Sequence, residues 1–314
     1  VLEEQNAQGY ERKNQEKLQR FSPRGQLSFK YYPKADEVNN YLEYISKSYN
    51  DVAKLVEVGK SYEGRSVKGL KISKDGKDKP TVFIDGGIHA REWIAPVTGL
   101  YIIDQLVANQ TNRYLLENVN WLIVPLVNPD GYEYTHSVYR LWRKTRSVQA
   151  GTSCVGVDGN RNYDMAWMVV GASSNPCSDT YAGPKAFSES ETRNIRDAIL
   201  GENGNVKLYI SLHSYGQYIL YPWGYTSEVP DNEEEHRNLA AVCADAIASS
   251  RNTKYTYGTS GNHLYLSSGG SDDWALDKGG ADLSYTYELP GGRTGFILPP
   301  SQIIPVGIET FQAI

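Results

Sequence analysis

The apolar residues of this chain follow two patterns, and each predicts a different kind of element. Short runs rich in β-branched, aromatic or aliphatic residues, such as TVFI at 81–84, predict buried strands. Longer stretches repeat their apolar residues at helical spacing, as Val38, Leu42 and Ile45 do. The predicted strands are 55–58, 67–72, 81–84, 121–127, 206–212 and 283–289, and the predicted helices are 35–48, 93–107, 188–200, 234–250 and 301–314.

Strands that alternate with helices predict an α/β fold in which helices cover both faces of one sheet. No linker or internal repeat follows residue 30, so we expect a single domain over 25–314. Residues 1–24 differ because they are rich in charge and poor in aliphatic side chains. They predict a solvated helix or a mobile tail, and Arg24 offers a cleavage point to a trypsin-like protease.

The region 132–183 shows little periodicity of either kind. Asn128-Pro129-Asp130-Gly131, just before it, has the composition of a turn. Structureless stretches of this length in a compact domain are usually functional or disordered. Regular structure is predicted to return at Ser188, where Ser188 and Glu191 have the spacing of a helix capping box.

Composition narrows the possible partners. The chain has 314 residues, of which 40% are hydrophobic and 22% charged, as in ordinary soluble proteins. The net charge is −5 and the basic residues are scattered, which argues against a nucleic-acid partner. No apolar run reaches the length of about 18 residues that a spanning helix needs, so we expect no membrane partner either.

The three cysteines lie in different contexts. Cys154 and Cys177 flank a segment rich in Gly, Ser, Asn and Asp, where a disulfide would tie a long loop. Cys243 lies in an apolar helical pattern and is expected to be a buried free thiol. Three unpaired thiols in a cytosolic protein are the alternative, but the sequon Asn109-Gln110-Thr111 favours a secreted chain.

Three residues near predicted strand ends are candidates for a metal site. His89 and Glu92 follow the strand at 81–84, and His213 ends the strand at 206–212. Catalytic zinc takes three such protein ligands and leaves a further position for water. Ligands in α/β sheets bind at the carboxyl ends of the strands, where these residues are expected to lie. A chance pair and a hydrogen-bonded core histidine are the structural alternatives for these residues taken singly.

Several longer motifs in this chain resemble the zinc metallocarboxypeptidases of the pancreatic A/B type. The similarity runs in the same order from about Phe29 to Ile314. Such a resemblance implies a single domain with a mixed, mostly parallel, twisted sheet of about eight strands and helices on both faces. The motifs are GIHAREW (87–93), RLWRKTR (140–146), GVDGNRN (156–162), HSY (213–215), SGGSDDW (268–274) and YEL (287–289).

The resemblance assigns the chemistry residue by residue. It implies that His89, Glu92 and His213 bind one Zn²⁺, and that Asp158 orients His89. Glu288 would be the general base toward the attacking water and would pass its proton to the leaving amine. Read without the resemblance, Glu288 is a surface carboxylate at a strand end.

The resemblance also assigns residues that contact the substrate. Arg143 would stabilise the oxyanion, although its basic segment alone reads as a solvated loop. Asn160 and Arg161 would bind the terminal carboxylate, and Tyr265 would close over it. The structural alternatives are that Asn160 only forms a turn and that Tyr265, in a chain with 24 tyrosines, has no functional role. Arg91 is expected to be an outer substrate contact.

Specificity is expected to rest on Asp272. The corresponding position lines the pocket for the C-terminal side chain, and it is apolar in A-type enzymes and aspartate in B-type enzymes. A buried carboxylate favours Lys or Arg, so the resemblance is to the B-type enzymes of the family. Small residues at Gly224 and Ser260 leave room for a long side chain. Three rival interpretations remain. Asp272 argues against an A-type enzyme, and the complete zinc-ligand set with Glu288 argues against a non-catalytic binding module. The Asn160–Arg161 pair argues against an endopeptidase.

Further properties follow only from the resemblance. It implies a secreted zymogen in which 1–24 is the remnant of a pro-segment and Cys154 pairs with Cys177. The implied partners are peptides and proteins that end in Lys or Arg, the chain's own inhibitory pro-segment and proteinaceous carboxypeptidase inhibitors. The turn at 290–295 departs from the family pattern, in which it is longer, and this puts substrate contacts there in doubt.

Overall fold

The computed structural model describes residues 27–76 and 79–314. Its centre is a mixed sheet of eight strands in the order β1-β2-β4-β3-β5-β8-β6-β7. The strands are β1 (Ala53–Lys60), β2 (Ser66–Ile72), β3 (Thr81–Gly86), β4 (Asn120–Val124), β5 (Val206–Ser214), β6 (Tyr218–Tyr221), β7 (Thr256–Thr259) and β8 (Leu283–Leu289). The α/β fold predicted from the sequence is confirmed.

The helices connect these strands. Three short 3₁₀ helices, at Gln110–Leu116, Gly159–Arg161 and Pro300–Gln302, supplement the α-helices. Over 27–76 and 79–314, no helix is both long and apolar enough to cross a membrane. The α-helices are α1 (Ala35–Ser48), α2 (Ile94–Val107), α3 (Pro129–Ser137), α4 (Ser190–Leu200), α5 (Glu233–Arg251), α6 (Ser260–His263), α7 (Ser271–Asp277) and α8 (Ile303–Ala313).

Four central strands set the position of the site. β4, β3, β5 and β8 are neighbours and run parallel, whereas β1, β2 and β6 join by antiparallel pairing. Parallel strands end at the same edge of a sheet, so the segments that follow β3, β5 and β8 meet there. The register between β5 and β8 places His213 directly opposite Glu288.

Alternating side chains of the central strands fill two apolar cores, one on each face of the sheet. Ile84 of β3 and Ile123 of β4 point into the core that α1, α2, α5 and α8 cover. Phe83 and Leu122, their neighbours in sequence, point into the core that α4 and α7 cover. This alternation is what a strand buried on both faces requires, and it explains why these strands read as continuous apolar runs.

A glycine pair lets the chain leave β3 toward the site. Gly87 has φ +71°, a left-handed conformation that favours glycine. A Cβ atom there would lie 2.9 Å from Leu126 and from Pro96, so the backbone packs too closely for any side chain. The turn at Gly87 therefore directs the next residues, which include His89, over the carboxyl edge of the sheet.

The structure corrects three details of the sequence interpretation. The segment 128–131 is not a simple turn but the start of α3. Asn128 caps this helix, because its side chain accepts a hydrogen bond from Gly131 N at 2.9 Å, and Pro129 lies in the first turn. The capping box at Ser188 is wrong, since α4 begins after Glu189 and the Ser188 hydroxyl bonds to that carboxylate instead. The strands β6 and β7 and the helices α6 and α7 were missed because they are too short for periodicity to show.

Residues 1–24, which were interpreted as a pro-segment remnant, lie outside the described residues. The region 132–183, for which the sequence predicts no regular element, contains the end of α3 and the 3₁₀ helix Gly159–Arg161, and tertiary contacts order the rest. A disulfide joins Cys154 to Cys177, with their Cα atoms 5.1 Å apart, and Cys243 is a buried free thiol. The cysteine pairing that the sequence predicted is therefore present.

Thiol titration tests this pairing. We expect unfolded, unreduced protein to react at one thiol, Cys243, because the other two cysteines are bridged. After reduction all three should react. Three reactive thiols without a reductant would contradict the bridge.

A buried carboxylate in α4 gives the fold a pH dependence. The side chain of Glu191 is fully buried, and its two oxygens accept hydrogen bonds from Tyr62 N and the Ser190 hydroxyl, each at 3.0 Å. Burial, which removes the carboxylate from water, raises the pKa of Glu191 to about 7. In the unfolded chain its pKa returns to about 4.3.

Between these two pKa values the folded protein binds more protons than the unfolded chain, so stability falls as pH rises. A Glu191→Gln variant keeps an acceptor for Tyr62 N and cannot ionise. Between about pH 5 and pH 8 we expect its free energy of unfolding to rise relative to wild type by about 2 to 3 kcal/mol, measured by urea unfolding. Parallel pH profiles for the variant and wild type would contradict this, and the exposed Glu228→Gln provides the control.

Candidate active site and metal centre

Three buried side chains converge at the carboxyl edge of the sheet. His89 and Glu92 come from the loop between β3 and α2, and His213 comes from the end of β5. His89 Nδ1 lies 2.9 Å from Glu92 Oε1 and 3.1 Å from His213 Nδ1, and His213 Nδ1 lies 3.1 Å from Glu92 Oε2. Each of the three residues is at most 3% exposed. Their polar atoms therefore face one another across a small buried space.

Asp158 determines which nitrogen of His89 faces that space. Its carboxylate Oδ1 lies 2.9 Å from His89 Nε2, and the residue is fully buried. Burial opposes ionisation, but Arg143 and His89 hold the pKa of Asp158 well below its usual range. An ionised carboxylate only accepts hydrogen bonds, so Nε2 carries the proton and the lone pair of Nδ1 points toward Glu92 and His213.

The chemistry of this group fits zinc. Two imidazole nitrogens and a carboxylate oxygen, all within 4.8 Å of one another, form the kind of set that catalytic zinc takes. The hydrogen bond from His89 to Asp158 adds the carboxylate–histidine support common behind such ligands. Without a cation, the facing Nδ1 atoms of two histidines would have no shared partner except the Glu92 carboxylate.

Glu288 lies next to this group at the end of β8, opposite His213 in the register. Burial and the nearby Glu92 carboxylate raise the pKa of Glu288 to about 7. The side chain lines the same cavity as His89 and Glu92. A carboxyl group with a pKa near neutrality can accept and return a proton, which is what a general base requires.

Arg143 approaches the metal group from the segment that follows α3. Its Nε and Nη2 donate to Asp158 Oδ2 at 3.0 and 2.9 Å, and its Nη1 lies 3.9 Å from Glu92 Oε1. The side chain is 11% exposed and lines the cavity. Asp158 therefore positions both His89 and Arg143, and it leaves one edge of the guanidinium directed at the cavity.

The residues expected to bind a terminal carboxylate lie on a 3₁₀ helix and a facing loop. Asn160 Oδ1 accepts a hydrogen bond from Ser271 N at 2.9 Å. This contact uses the oxygen of the Asn160 side-chain amide and leaves its NH₂ group as a donor. Arg161 is 3% exposed and donates from Nε to Gly171 O at 3.0 Å. Tyr265 is 51% exposed, and its ring centre lies 5.8 Å from the Arg161 guanidinium carbon.

A polar recess ends the cavity at α7. Asp272 is 6% exposed, and its Oδ2 accepts from the Ser260 hydroxyl at 3.4 Å. Both oxygens of Asp273 accept from Gly224 N, at 2.9 and 3.0 Å. Burial and the neighbouring Asp272 carboxylate raise the pKa of Asp273 well above its usual range. The oxygens of Asp273 are therefore engaged by the backbone, whereas Asp272 has only the long contact from Ser260.

Aromatic and basic side chains also line the cavity, and we call three that contact one another the outer wall: Arg91, Tyr215 and Phe296. The Arg91 guanidinium carbon lies 4.3 Å from the centre of the Phe296 ring, and the rings of Tyr215 and Phe296 are 4.9 Å apart. Arg140, which is 3% exposed, donates to the carbonyl oxygens of Arg91 and Phe296 at 2.7 and 3.0 Å. It thereby fixes two segments of this wall relative to each other.

The structure brings every sequence-predicted site residue to this one region. Nine of them line the cavity, while Asp158 contacts His89, and His213 contacts both His89 and Glu92. Sequence reasoning gave no role to Arg140, Tyr215 or Phe296, since their part in the wall depends on packing between distant segments. The nine are His89, Arg91, Glu92, Arg143, Asn160, Arg161, Tyr265, Asp272 and Glu288.

Curated relatives match most of the chain. Carboxypeptidase B of Astacus astacus is 50% identical over 286 residues, which are 90% of this chain and 94% of that protein. Zinc carboxypeptidase A 1 of Drosophila melanogaster is 43% identical over 294 residues, 90% of this chain and 68% of that protein. Relatives named for both B and A types are therefore found at high identity.

Solved structures match the fold. The carboxypeptidase A of Helicoverpa armigera is 39% identical with a TM-score of 0.89 and covers 93% of this chain and 74% of that chain. Bovine thrombin-activatable fibrinolysis inhibitor, solved in complex with a tick carboxypeptidase inhibitor, is 37% identical with a TM-score of 0.87, over 91% of this chain and 96% of that chain. The sequence profile described as zinc carboxypeptidase matches residues 38–313. The protein thus belongs to the zinc carboxypeptidase family.

Proposed function

We propose that this protein is a secreted zinc exopeptidase that removes Lys and Arg from the C-termini of peptides and proteins. The observation that carries the proposal is a single cavity that joins the His89–Glu92–His213 group and Glu288 to a recess ending at Asp272. Family membership supports the peptidase activity, and the recess supports the basic specificity.

His89, Glu92 and His213 would hold one Zn²⁺. When bound, zinc polarises the scissile carbonyl and makes water a better nucleophile near neutral pH. Asp158 keeps the Nδ1 lone pair of His89 directed at the ion by accepting the Nε2 proton. The buried position of all three ligands excludes competing solvent and keeps their geometry fixed.

Glu288 and Arg143 act on the reacting groups. Glu288 takes a proton from the attacking water at a carboxylate oxygen, and it later returns that proton to the leaving amine. It lines the same cavity as His89 and Glu92, so one carboxylate can serve both halves of this exchange. Arg143 presents a fixed cation to the oxyanion, because Asp158 holds the guanidinium before the substrate arrives.

Removal of one terminal residue requires recognition of a free carboxylate. Arg161 and the NH₂ group of Asn160 supply donors for it at the same cavity. Tyr265, which is half exposed, is free to close over the bound end and exclude water. These groups disfavour an endopeptidase, whose substrate continues past this point.

The basic specificity follows from the charge distribution of the recess. Asp272 is available to a substrate side chain, whereas both oxygens of Asp273 are engaged by Gly224 N. An apolar side chain would leave Asp272 desolvated without a partner, but a Lys or Arg side chain would pair with it. Because related proteins named for both types match this chain, Asp272 is the residue that favours the B type.

Other properties are proposed on indirect support. The Cys154–Cys177 disulfide is typical of an oxidising compartment and supports secretion. The complex of a related protein with a tick carboxypeptidase inhibitor supports proteinaceous inhibitors as partners. Residues 1–24 would be the remnant of an inhibitory pro-segment, with the catalytic domain at 25–314.

The metal mechanism is tested by chelation and by Glu288→Gln. A chelator should abolish peptide hydrolysis and added zinc should restore it. The Glu288→Gln variant should lower kcat by about 10²- to 10⁴-fold because it cannot accept the proton, while zinc content and inhibitor binding stay unchanged.

Glu234→Gln, on the exposed first turn of α5, is the matched control and should keep wild-type turnover. Hydrolysis by protein that elemental analysis shows to be free of metal would refute the zinc mechanism. Normal turnover by Glu288→Gln would remove this residue from the role of base.

The specificity is tested by two neighbouring substitutions, Asp272→Asn and Asp273→Asn. Removing one partner of a buried charge pair costs about 2 to 5 kcal/mol, so Asp272→Asn should lower kcat/KM for C-terminal Lys and Arg by about 30-fold or more. Cleavage of C-terminal Leu or Phe should rise, since the unpaired charge that penalises them is gone. Matched peptides that differ only in the last residue provide the measurement.

Asp273→Asn serves as the control because it changes the neighbouring carboxyl group, whose oxygens are engaged by Gly224 N rather than available to the substrate. Its ratio of Lys to Leu cleavage should stay close to wild type, even if overall activity drops. An equal loss of activity on all substrates in Asp272→Asn would make Asp272 a structural residue, and the B-type assignment would then be refuted.

A further inference from the structure

An exposed carboxylate, Asp179, lies beside the outer wall and is not part of the site described so far. Its Oδ2 lies 3.3 Å from Arg91 Nη1, on the other side of Arg91 from the contact with Phe296. Asp179 is 66% exposed at its side chain, whereas Arg91 is only 17% exposed. A molecule that approaches this wall from solvent therefore meets the carboxylate before the guanidinium.

The loop that carries Asp179 is held firmly against the site. The disulfide fixes Cys177, and Lys144 Nζ donates to Pro176 O at 2.6 Å. Tyr181 O accepts from the backbone N of Asp158 at 2.8 Å, which ties the loop to the segment that orients His89. These contacts hold the carboxylate of Asp179 at a defined position beside the outer wall.

The outer wall lines the same cavity as the metal group and the recess. In the proposed function, on which this inference rests, the terminal side chain occupies the recess at Asp272 and the terminal carboxylate is bound by Asn160 and Arg161. The residues upstream of the scissile bond are then left to the remaining lining of the cavity, which includes Arg91, Tyr215 and Phe296. The charge of this wall therefore acts on residues upstream of the cleaved one.

We propose that Asp179 is a specificity-determining residue that selects against acidic residues upstream of the scissile bond and favours basic ones. Arg91 alone would attract Asp or Glu at these positions. Asp179 neutralises Arg91 and, as the more exposed partner, adds an attraction for Lys or Arg. The enzyme would then prefer C-termini in basic sequence contexts, a preference separate from the one that Asp272 sets for the terminal residue.

The test uses Asp179→Asn and peptides of the form acetyl-Ala-X-Y-Lys, with Glu, Ala or Lys at X or at Y. We expect kcat/KM for peptides with upstream Glu to rise, and for those with upstream Lys to fall, by about two- to four-fold each, as is typical of exposed charge pairs. The all-Ala peptide should be cleaved as by wild type. At about 0.5 M salt the differences should shrink, because exposed charges are screened.

Two further variants separate this role from a structural one. Asp282→Asn removes an aspartate of similar exposure, 59%, that pairs with Lys207 at 3.1 Å, and it should leave the Glu/Lys ratio unchanged. Asp179→Glu keeps the charge and should keep the wild-type ratio. An unchanged ratio in Asp179→Asn, or an equal shift in Asp282→Asn, would overturn the proposal. If wild-type protein releases no terminal residue from any of these peptides, the proposed function itself fails instead.

Discussion

The site depends on one buried carboxylate, Asp158, which binds His89 and Arg143 at the same time. A fully buried charge is costly unless it is paired and hydrogen-bonded, and here two cationic or polar partners and the backbone N of Asn160 satisfy it. The same bonds fix the tautomer of His89 and the direction of the Arg143 guanidinium. In the proposed function, Asp158 would therefore support metal binding and oxyanion stabilisation together, although it is not one of the residues that line the cavity.

The parallel centre of the sheet makes this arrangement possible. β3, β5 and β8 deliver His89, His213 and Glu288 to one edge, and the β5–β8 register sets His213 against Glu288. The remaining groups come from the largely irregular region between α3 and α4. A helix or strand would place side chains only at the fixed intervals of its repeat. Irregular backbone, tied by the disulfide and by Asp158, can instead bring Arg143, Asn160 and Arg161 to points around the metal group.

The sequence was sufficient to predict the α/β fold and the set of central residues, but not the parts that depend on contacts between distant segments. The central strands have strong apolar runs, and the zinc and carboxylate-binding motifs are local and long. In contrast, β6 and β7 are four residues each and leave no periodic signal. Arg140 read as a solvated basic residue, yet it is buried because two carbonyl groups, from Arg91 and Phe296, need its donors. No spacing in the sequence reveals such a contact.

Two adjacent carboxyl groups that line the cavity have different hydrogen-bond partners. Asp272 and Asp273 are neighbours in α7, but both oxygens of Asp273 face Gly224 N, whereas Asp272 faces the recess with only a long contact from Ser260. Donation from Gly224 N engages the Asp273 carboxyl group within the protein, so its oxygens are already occupied before a substrate enters. Asp272 is buried with only the long contact from Ser260, and a buried carboxyl group in this position gains most from a cationic partner. In the proposed function, the Lys or Arg side chain that enters the recess is that partner.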